Sequence, residues 1–162
     1  MPAETDRHRD PRTAHPMQDL DNRGAIHDLV VHFYREVAFD DLLGPVFGEV
    51  AEVDWAEHIP RLIGYWCRVL LDHPSYDGRI LAAHERVHAE QPFDAELFDR
   101  WYRLFAESVD GGWSGAHADR AKRHAAHMAG VISRRLTDED RAGVTPSEER
   151  ERAHEREAAA HD

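Results

Sequence analysis

The feature that most constrains the fold of this chain is a helical spacing of apolar residues. Ile26, Leu29, Val30, Phe33 and Val37 follow the i, i+3, i+4, i+7 pattern of a helix with one buried face. The same spacing recurs in later segments, and no two-residue alternation typical of a strand persists anywhere. We therefore predict an all-α fold.

Capping and breaking residues divide the chain into helices. Asp54, with Glu57 three residues later, predicts the start of a helix through a capping box, and Asp94 predicts the start of another. The segment Leu43-Gly44-Pro45-Val46-Phe47 predicts a break, because proline disfavours a helical conformation in the residue before it. Two further helices are expected at about residues 80–88 and 116–136.

Composition predicts one folded domain between two polar ends. Residues 1–22 are polar and contain three prolines, which is typical of a disordered leader. Residues 137–162 are highly charged and have no apolar stripe, so we expect a disordered tail or a frayed, solvated helix. The folded domain is predicted to span residues 23–136.

The charge of the chain argues against several classes of partner. The 20 basic and 32 acidic residues give a formal net charge of −12, which repels nucleic-acid backbones and anionic membranes. The start of the chain shows no apolar signal core, and no run is long enough for a membrane span. The single cysteine, Cys67, cannot form an internal disulfide. We expect a soluble, cytoplasmic protein that binds neither nucleic acid nor membrane.

Three polar side chains, Tyr34, His58 and His84, interrupt otherwise apolar helix faces. Burying such groups without partners costs roughly 1–3 kcal/mol each, so they should meet a partner or a ligand. Taken singly, each is more often an ordinary core-edge residue. His84 has two interpretations, a histidine bonded to a carbonyl group or an axial ligand of haem iron. The indole N–H of Trp101 is a further donor that needs a partner when buried.

A second metal hypothesis comes from His84 and His88, because the segment His-Glu-Arg-Val-His matches the spacing of zinc-binding HExxH helices. A zinc site would still require a third protein ligand. His124 and His127 form a weaker pair, which we predict to be solvated surface. The sequence lacks a GxSxG nucleophile turn, phosphate-binding glycine loops and the CxxCH motif of covalent haem attachment.

Over about residues 25–135, the order and spacing of several motifs resemble the group III truncated haemoglobins. The motifs are Phe33-Tyr34, Leu43-Gly44-Pro45-Val46-Phe47, Trp55 with His58, Trp66, Tyr76-Asp77-Gly78, His84 and the segment from Phe98 through Trp101 to Phe105. The resemblance implies a two-over-two helical sandwich that encloses haem b.

On that resemblance each functional position can be transferred to this chain. His84 matches the proximal iron ligand, and its distance from Tyr76-Asp77-Gly78 favours it over His88. The residues that match positions contacting the bound ligand are Tyr34, His58 and Trp101. Phe47 matches the aromatic side chain packed on the porphyrin, and Arg61 matches a position that can pair with a haem propionate.

The resemblance implies reversible binding of O₂ and related diatomic ligands. An enzymatic variant, with turnover of peroxide or nitric oxide, would need electrons from an external reductase. The alternative from another class is a haem-free helical protein that binds metal through His84 and His88 or has a regulatory role. A globin fold that has lost its cofactor and serves as an interaction domain is a third possibility.

Overall fold

The computed structural model describes residues 17–50, 52–74, 83–84, 86–88 and 93–143. The helices are α1 (Arg23–Phe39), α2 (Leu43–Pro45, continued by a π-helical turn over Val46–Val50), α3 (Trp55–Leu71), α4 (Ala95–Gly112) and α5 (Ala116–Gly143). Residues 83–84 and 86–88 are also helical, and no strand occurs within these ranges. Among the described helices, none combines the length and apolar character needed to cross a membrane.

The helices pack around one core of aromatic side chains. Helix α1 packs against α3 and α4, while α5 packs against α4 and α3. At the centre, the rings of Trp66 and Phe105 stack with centroids 4.8 Å apart, and Phe33 meets Phe105 edge-on at 5.2 Å. All three side chains are almost fully buried. Aromatic pairs of this kind add roughly 0.5–1.5 kcal/mol to the free energy of area burial, so this cluster stabilises the packing of α1, α3 and α4 on one another.

The predicted starts of α3 and α4 are confirmed. The Asp54 side chain accepts a hydrogen bond from the N–H of Ala56 at 3.0 Å, and Asp94 accepts one from the N–H of Leu97 at 3.0 Å. The Glu57 carboxylate, predicted to complete a capping box, instead pairs with a basic side chain one turn further along α3. Each cap satisfies a backbone donor that the first helical turn leaves unpaired.

The predicted break at residues 43–47 is wrong in its position. The chain leaves α1 at Asp40, whose carboxylate accepts hydrogen bonds from the N–H groups of Leu42 and Leu43 at 3.1 and 3.0 Å and so starts α2. Pro45 is the third residue of α2, in a turn that is already held by the Asp40 cap and by a hydrogen bond from the N–H of Gly44 to the carbonyl of Asp40. Proline here lies inside a helical turn rather than at a break.

The described fold begins before residue 23. Leu20 is fully buried in the core, and the Asp19 carboxylate accepts hydrogen bonds from the N–H groups of His117 and Ala118 at the start of α5. Gly115 has φ of +137°, and a Cβ there would lie 2.5 Å from the carboxyl carbon of Asp19. Residues 19 and 20 therefore belong to the packed domain, because they cap α5 and complete its core.

The last helix also extends past the predicted end at Leu136, to Gly143. Residues 137–143, which continue this helix, are mostly charged or small in the sequence and carry no apolar stripe. Residues 1–16 and 144–162 lie outside the described ranges, so the disordered leader and tail stay predictions.

Candidate functional site

A cavity of about 670 Å³ lies beside the aromatic core. Its walls come from α1, α2 and the following turn, α3, the helical residues near His84, α4 and the middle of α5. The walls are mainly apolar, with Phe47, Leu62, Phe93, Phe98, Met128 and Ile132 among them. Small-molecule and cofactor sites occupy roughly 300–1,000 Å³ and combine apolar walls with a few polar groups. This cavity has the size and character of such a site.

The structure brings the predicted polar residues together. Tyr34, His58, His84 and Trp101 all line the same cavity, although they come from four separate segments of the chain. The ring of Tyr34 lies 5.8 Å from that of His58. A hydroxyl, two imidazoles and an indole therefore converge on one largely apolar space.

Tyr34 is buried on the cavity wall. Burial raises the pKa of Tyr34, hydrogen bonding from the Trp101 indole opposes that rise, and the nearby Tyr65 adds to it. The side chain of Tyr34 therefore stays un-ionised at neutral pH and keeps its hydroxyl proton.

His58 is half-buried on the first turns of α3. Burial lowers the pKa of His58, and the positive charges that His84 and Arg61 can carry lower it further. His58 is therefore neutral at neutral pH, with one ring nitrogen as donor and the other as acceptor. His58 and His84 line the same cavity.

The two candidate iron ligands, His84 and His88, lie in different surroundings. His84 lines the cavity, whereas His88 does not belong to the described lining residues. His88 is 6% exposed, and its Nδ1 atom accepts a hydrogen bond from the N–H of Phe93 at 2.8 Å. One ring nitrogen of His88 is thus committed to the backbone. Within the described residues, no group of three or more His, Cys, Asp or Glu side chains is arranged to hold a metal ion.

Phe47 packs among other aromatic rings at the cavity wall, whereas the side chain of Arg61 is largely exposed. Phe47 stacks on Trp55, with ring centroids 5.8 Å apart, and its ring also meets that of Tyr34 at 6.0 Å. Arg61 contributes to the cavity wall but has a largely exposed side chain that pairs with Glu57. Such an exposed pair is worth little, so Arg61 can exchange this carboxylate for another at small cost.

Comparison with known proteins identifies the family. The chain is 33% identical to a group 3 truncated haemoglobin of Campylobacter jejuni over 92 residues, which are 55% of this chain and 70% of that relative. The chain belongs to the group 3 truncated haemoglobin family. The crystal structure of a group III truncated haemoglobin from Campylobacter jejuni matches with a TM-score of 0.65 and 28% identity, covering 74% of this chain and 95% of that one. No protein-family model matches the chain.

These comparisons confirm the predicted resemblance and the all-α truncated-globin fold. The individual roles predicted for His84, Phe47, Arg61, Trp101, Tyr34 and His58 are not decided by membership of the family, and they stay predictions.

Sequence reasoning missed one polar group on the cavity wall. Tyr65 lines the cavity, and its hydroxyl lies 2.5 Å from the Nε2 atom of His124. The prediction that His124 is solvated surface is therefore wrong, although His127 is exposed as expected. The sequence did indicate partial burial of His124, because this residue lies three residues after Ala121 and four before Met128, at the edge of the apolar stripe of α5.

Proposed function

We propose that the cavity binds haem b and that the protein reversibly binds O₂ and related diatomic ligands there. The observation that carries this proposal is the placement of His84 and three polar side chains, Tyr34, His58 and Trp101, on the walls of one apolar cavity. The family supports it, since both matched relatives are named truncated haemoglobins.

The residues present fit a haem group. A neutral imidazole is a common axial ligand of haem iron, and His84 offers one at the cavity wall. The aromatic and aliphatic walls suit the porphyrin; Phe47 on this wall would pack on it, and the largely exposed Arg61 would pair with a propionate carboxylate. Binding would be non-covalent, since Cys67 is the only cysteine and is buried within α3.

The polar wall would hold and tune the ligand. When bound, haem would supply the iron at which a diatomic ligand binds and would draw partial negative charge onto O₂. Un-ionised Tyr34 can donate its hydroxyl proton, and the indole N–H of Trp101 on the same wall is a further donor. Neutral His58 supplies a second N–H donor. Donors fixed in a dry cavity stabilise such charge without reorganising, so they should slow dissociation of O₂.

The test is the visible absorption spectrum of purified protein in ferric, ferrous and CO-bound forms, with His84→Ala and His88→Ala beside the wild type. A Soret band that shifts with CO and is altered by His84→Ala alone is expected. The same change produced by His88→Ala would keep haem binding but move the iron ligand. The absence of any Soret band after haem addition would contradict haem binding, and one bound zinc per chain would then favour the metal-binding alternative.

Turnover of peroxide or nitric oxide would require a reductant that this chain does not supply. Steady-state consumption of either ligand with an added electron donor separates an enzyme from a ligand-binding protein. Consumption no faster than that of free haem would leave reversible binding as the function.

A further inference from the structure

A large apolar side chain is exposed at the corner between α1 and α2. Phe39, the last residue of α1, is 83% exposed, and Leu42, three residues later, is 37% exposed. Among the large apolar residues in the described ranges, Phe39 is the most exposed. Adjacent exposed apolar side chains are typical of a surface where another molecule binds. These two make only a small patch, so the charges around them decide what it can bind.

Contacts on both sides hold this corner, so the exposure of Phe39 does not come from a frayed helix end. The N–H of Gly44 donates to the carbonyl of Asp40 at 2.8 Å, and a Cβ at Gly44 would lie 2.9 Å from the carbonyl oxygen of Ala38. From α4, Arg100 donates two hydrogen bonds to Oδ2 of Asp40, at 2.8 and 2.5 Å. A surface held in this way loses little conformational entropy when it binds a partner.

The carboxylates at this corner outnumber the guanidinium that faces them. Arg100 pairs with Asp40, whose side chain is only 6% exposed. The hydrogen bond to that carboxylate raises the pKa of Arg100, burial opposes the rise, and the negative charges of the same carboxylate, Glu107 and Asp41 add to it. Asp41 and Glu107 are exposed, so their charges still face solvent once Asp40 has neutralised Arg100.

Helix α1 adds one charge of each sign. Glu36 and Arg35 lie three and four residues before Phe39, a spacing that makes them its neighbours on the helix surface, and both are exposed. Three exposed carboxylates and one exposed guanidinium therefore accompany the two apolar side chains. We call Glu36, Phe39, Asp41, Leu42 and Glu107 the corner patch. Its negative charge, in a chain of net charge −12, favours a basic protein over a second copy of this chain.

The corner patch and the cavity share one part of the fold. Leu42 is followed by Leu43, and Arg100 is followed by Trp101, and both Leu43 and Trp101 line the cavity. Electron transfer between two proteins requires their redox centres to lie close together. A protein docked at Phe39 would meet this requirement, because it would lie against the outer side of the cavity wall.

We propose that the corner patch docks a basic electron-carrier protein that reduces ferric haem in the cavity. This inference rests on the proposed function, because the electron needs the haem iron as its acceptor. One electron leaves the reduced carrier and converts ferric iron to ferrous iron, and no bond forms or breaks. The carrier would present Lys or Arg side chains around an apolar contact for Phe39.

The first arm of the test reads docking without electron transfer. The probe is cytochrome c, a small basic electron-carrier protein, added in its ferrous form to the nitrogen-15-labelled full chain. At low salt we expect the amide signals that shift to cluster at residues 36, 39–42 and 107, and to return as salt is added. Shifts confined to other surfaces, or none, would overturn the docking site. Shifts that grow with chain concentration before cytochrome c is added would identify a second copy as the occupant and also overturn it.

The second arm measures electron transfer from the ferrous haem-loaded chain to ferric cytochrome c by stopped flow without oxygen, since one docking surface serves either direction. Asp41→Lys and Glu107→Lys should each slow the second-order rate by about threefold or more at low salt, and by less at high salt. Phe39→Ser should slow it by about fivefold at both salt concentrations, because the lost contact is apolar. Arg35→Glu should have the opposite sign and speed the rate by about twofold or more at low salt.

Asp28→Lys is the matched control. It reverses an exposed charge on α1 about three turns before Phe39, so the rate should stay within about twofold of wild type. Slowing by Asp28→Lys equal to that by Asp41→Lys would show that only net charge acts, and would overturn the docking site. An intact Soret band and far-ultraviolet circular dichroism check the folding of each variant.

The outcomes separate this inference from the proposed function. Rates unchanged in Asp41→Lys, Glu107→Lys and Phe39→Ser would overturn the docking site while haem binding stands. A wild-type chain without a Soret band would overturn the proposed function and the reduction step together, whereas the NMR arm would still show where a basic protein docks.

Discussion

Asp19→Asn tests whether a residue outside the predicted domain holds the start of α5. The Asp19 carboxylate accepts hydrogen bonds from the N–H groups of His117 and Ala118 at 3.1 and 2.8 Å, and from His117 Nδ1 at 2.9 Å. It also accepts one from the N–H of Leu20 at 2.8 Å. Asparagine keeps the shape but loses the charge and turns an amide donor towards one of these donors.

The magnitude follows from those contacts. Losing a helix cap costs about 0.5–2 kcal/mol, and hydrogen bonds to a charged group are worth about 1.5–3 kcal/mol. The Asp19 side chain is 21% exposed, so solvent replaces part of what is lost. We expect Asp19→Asn to lower the free energy of unfolding by about 2 kcal/mol at neutral pH.

The effect should depend on pH with a definite sign. Burial alone would raise the pKa of Asp19, but the hydrogen bonds from His117, Ala118 and Leu20 lower it to about 2. A carboxyl group whose pKa is depressed in the folded state stabilises the fold above its unfolded pKa, and the stabilisation is lost as pH falls through the folded value. The difference between wild type and Asp19→Asn should therefore shrink between about pH 4 and pH 2.

Urea unfolding followed by far-ultraviolet circular dichroism measures this difference at neutral pH and at several acidic values. Asp28→Asn is the control, since Asp28 is exposed on α1 and forms an ion pair with its neighbour His27; we expect a change below about 0.5 kcal/mol. An Asp19→Asn variant as stable as wild type, or a loss that is the same at all pH values, would refute the capping argument.

Three further predictions concern other parts of the fold and the site. Gly115→Ala should lower the free energy of unfolding in urea by about 1–3 kcal/mol, since φ is +137° and the new Cβ would meet the carboxyl group that caps α5. The control is Gly111→Ala, which should leave stability unchanged because its Cβ would lie in open space. Asp40→Asn should lower the free energy of unfolding by about 2 kcal/mol at neutral pH and by less in acid. Burial raises the pKa of Asp40, but its arginine partner on α4 and two backbone N–H groups lower that pKa overall. A loss of stability independent of pH would contradict this. Tyr34→Phe and Trp101→Leu should each speed O₂ dissociation about tenfold, the equivalent of one hydrogen bond of about 1.4 kcal/mol, and stopped-flow rates unchanged in both would contradict the proposed hydrogen bonding to the ligand.

Local sequence patterns were sufficient to predict the all-α class and most of the positions at which helices begin. Helical periodicity and caps such as Asp54 and Asp94 act over three or four residues, so the information lies within the segment itself. The polar residues of the cavity were also visible, since Tyr34 and His58 interrupt apolar stripes that otherwise mark a core. The error at residues 43–47 arose because proline is compatible with both a break and a first helical turn.

Long-range contacts were decided only by the tertiary structure. Asp19 caps a helix that begins 97 residues later at Ala116, and Tyr65 bonds His124 across 59 positions. Neither partner carries a local signature of the other, because the contact exists only after the helices pack. Sequence reasoning therefore placed Asp19 in a leader and His124 in solvent.

The two histidines on the short segment before α4 show what the sequence determined and what the tertiary structure decided. His84 and His88 have the same chemistry and lie four residues apart, so their helical spacing cannot distinguish them as iron ligands. The sequence determined that an imidazole would be available in this region. Tertiary packing turned His84 to the cavity and gave His88 a backbone partner at Phe93, because which side of a helix faces a cavity depends on the other helices around it.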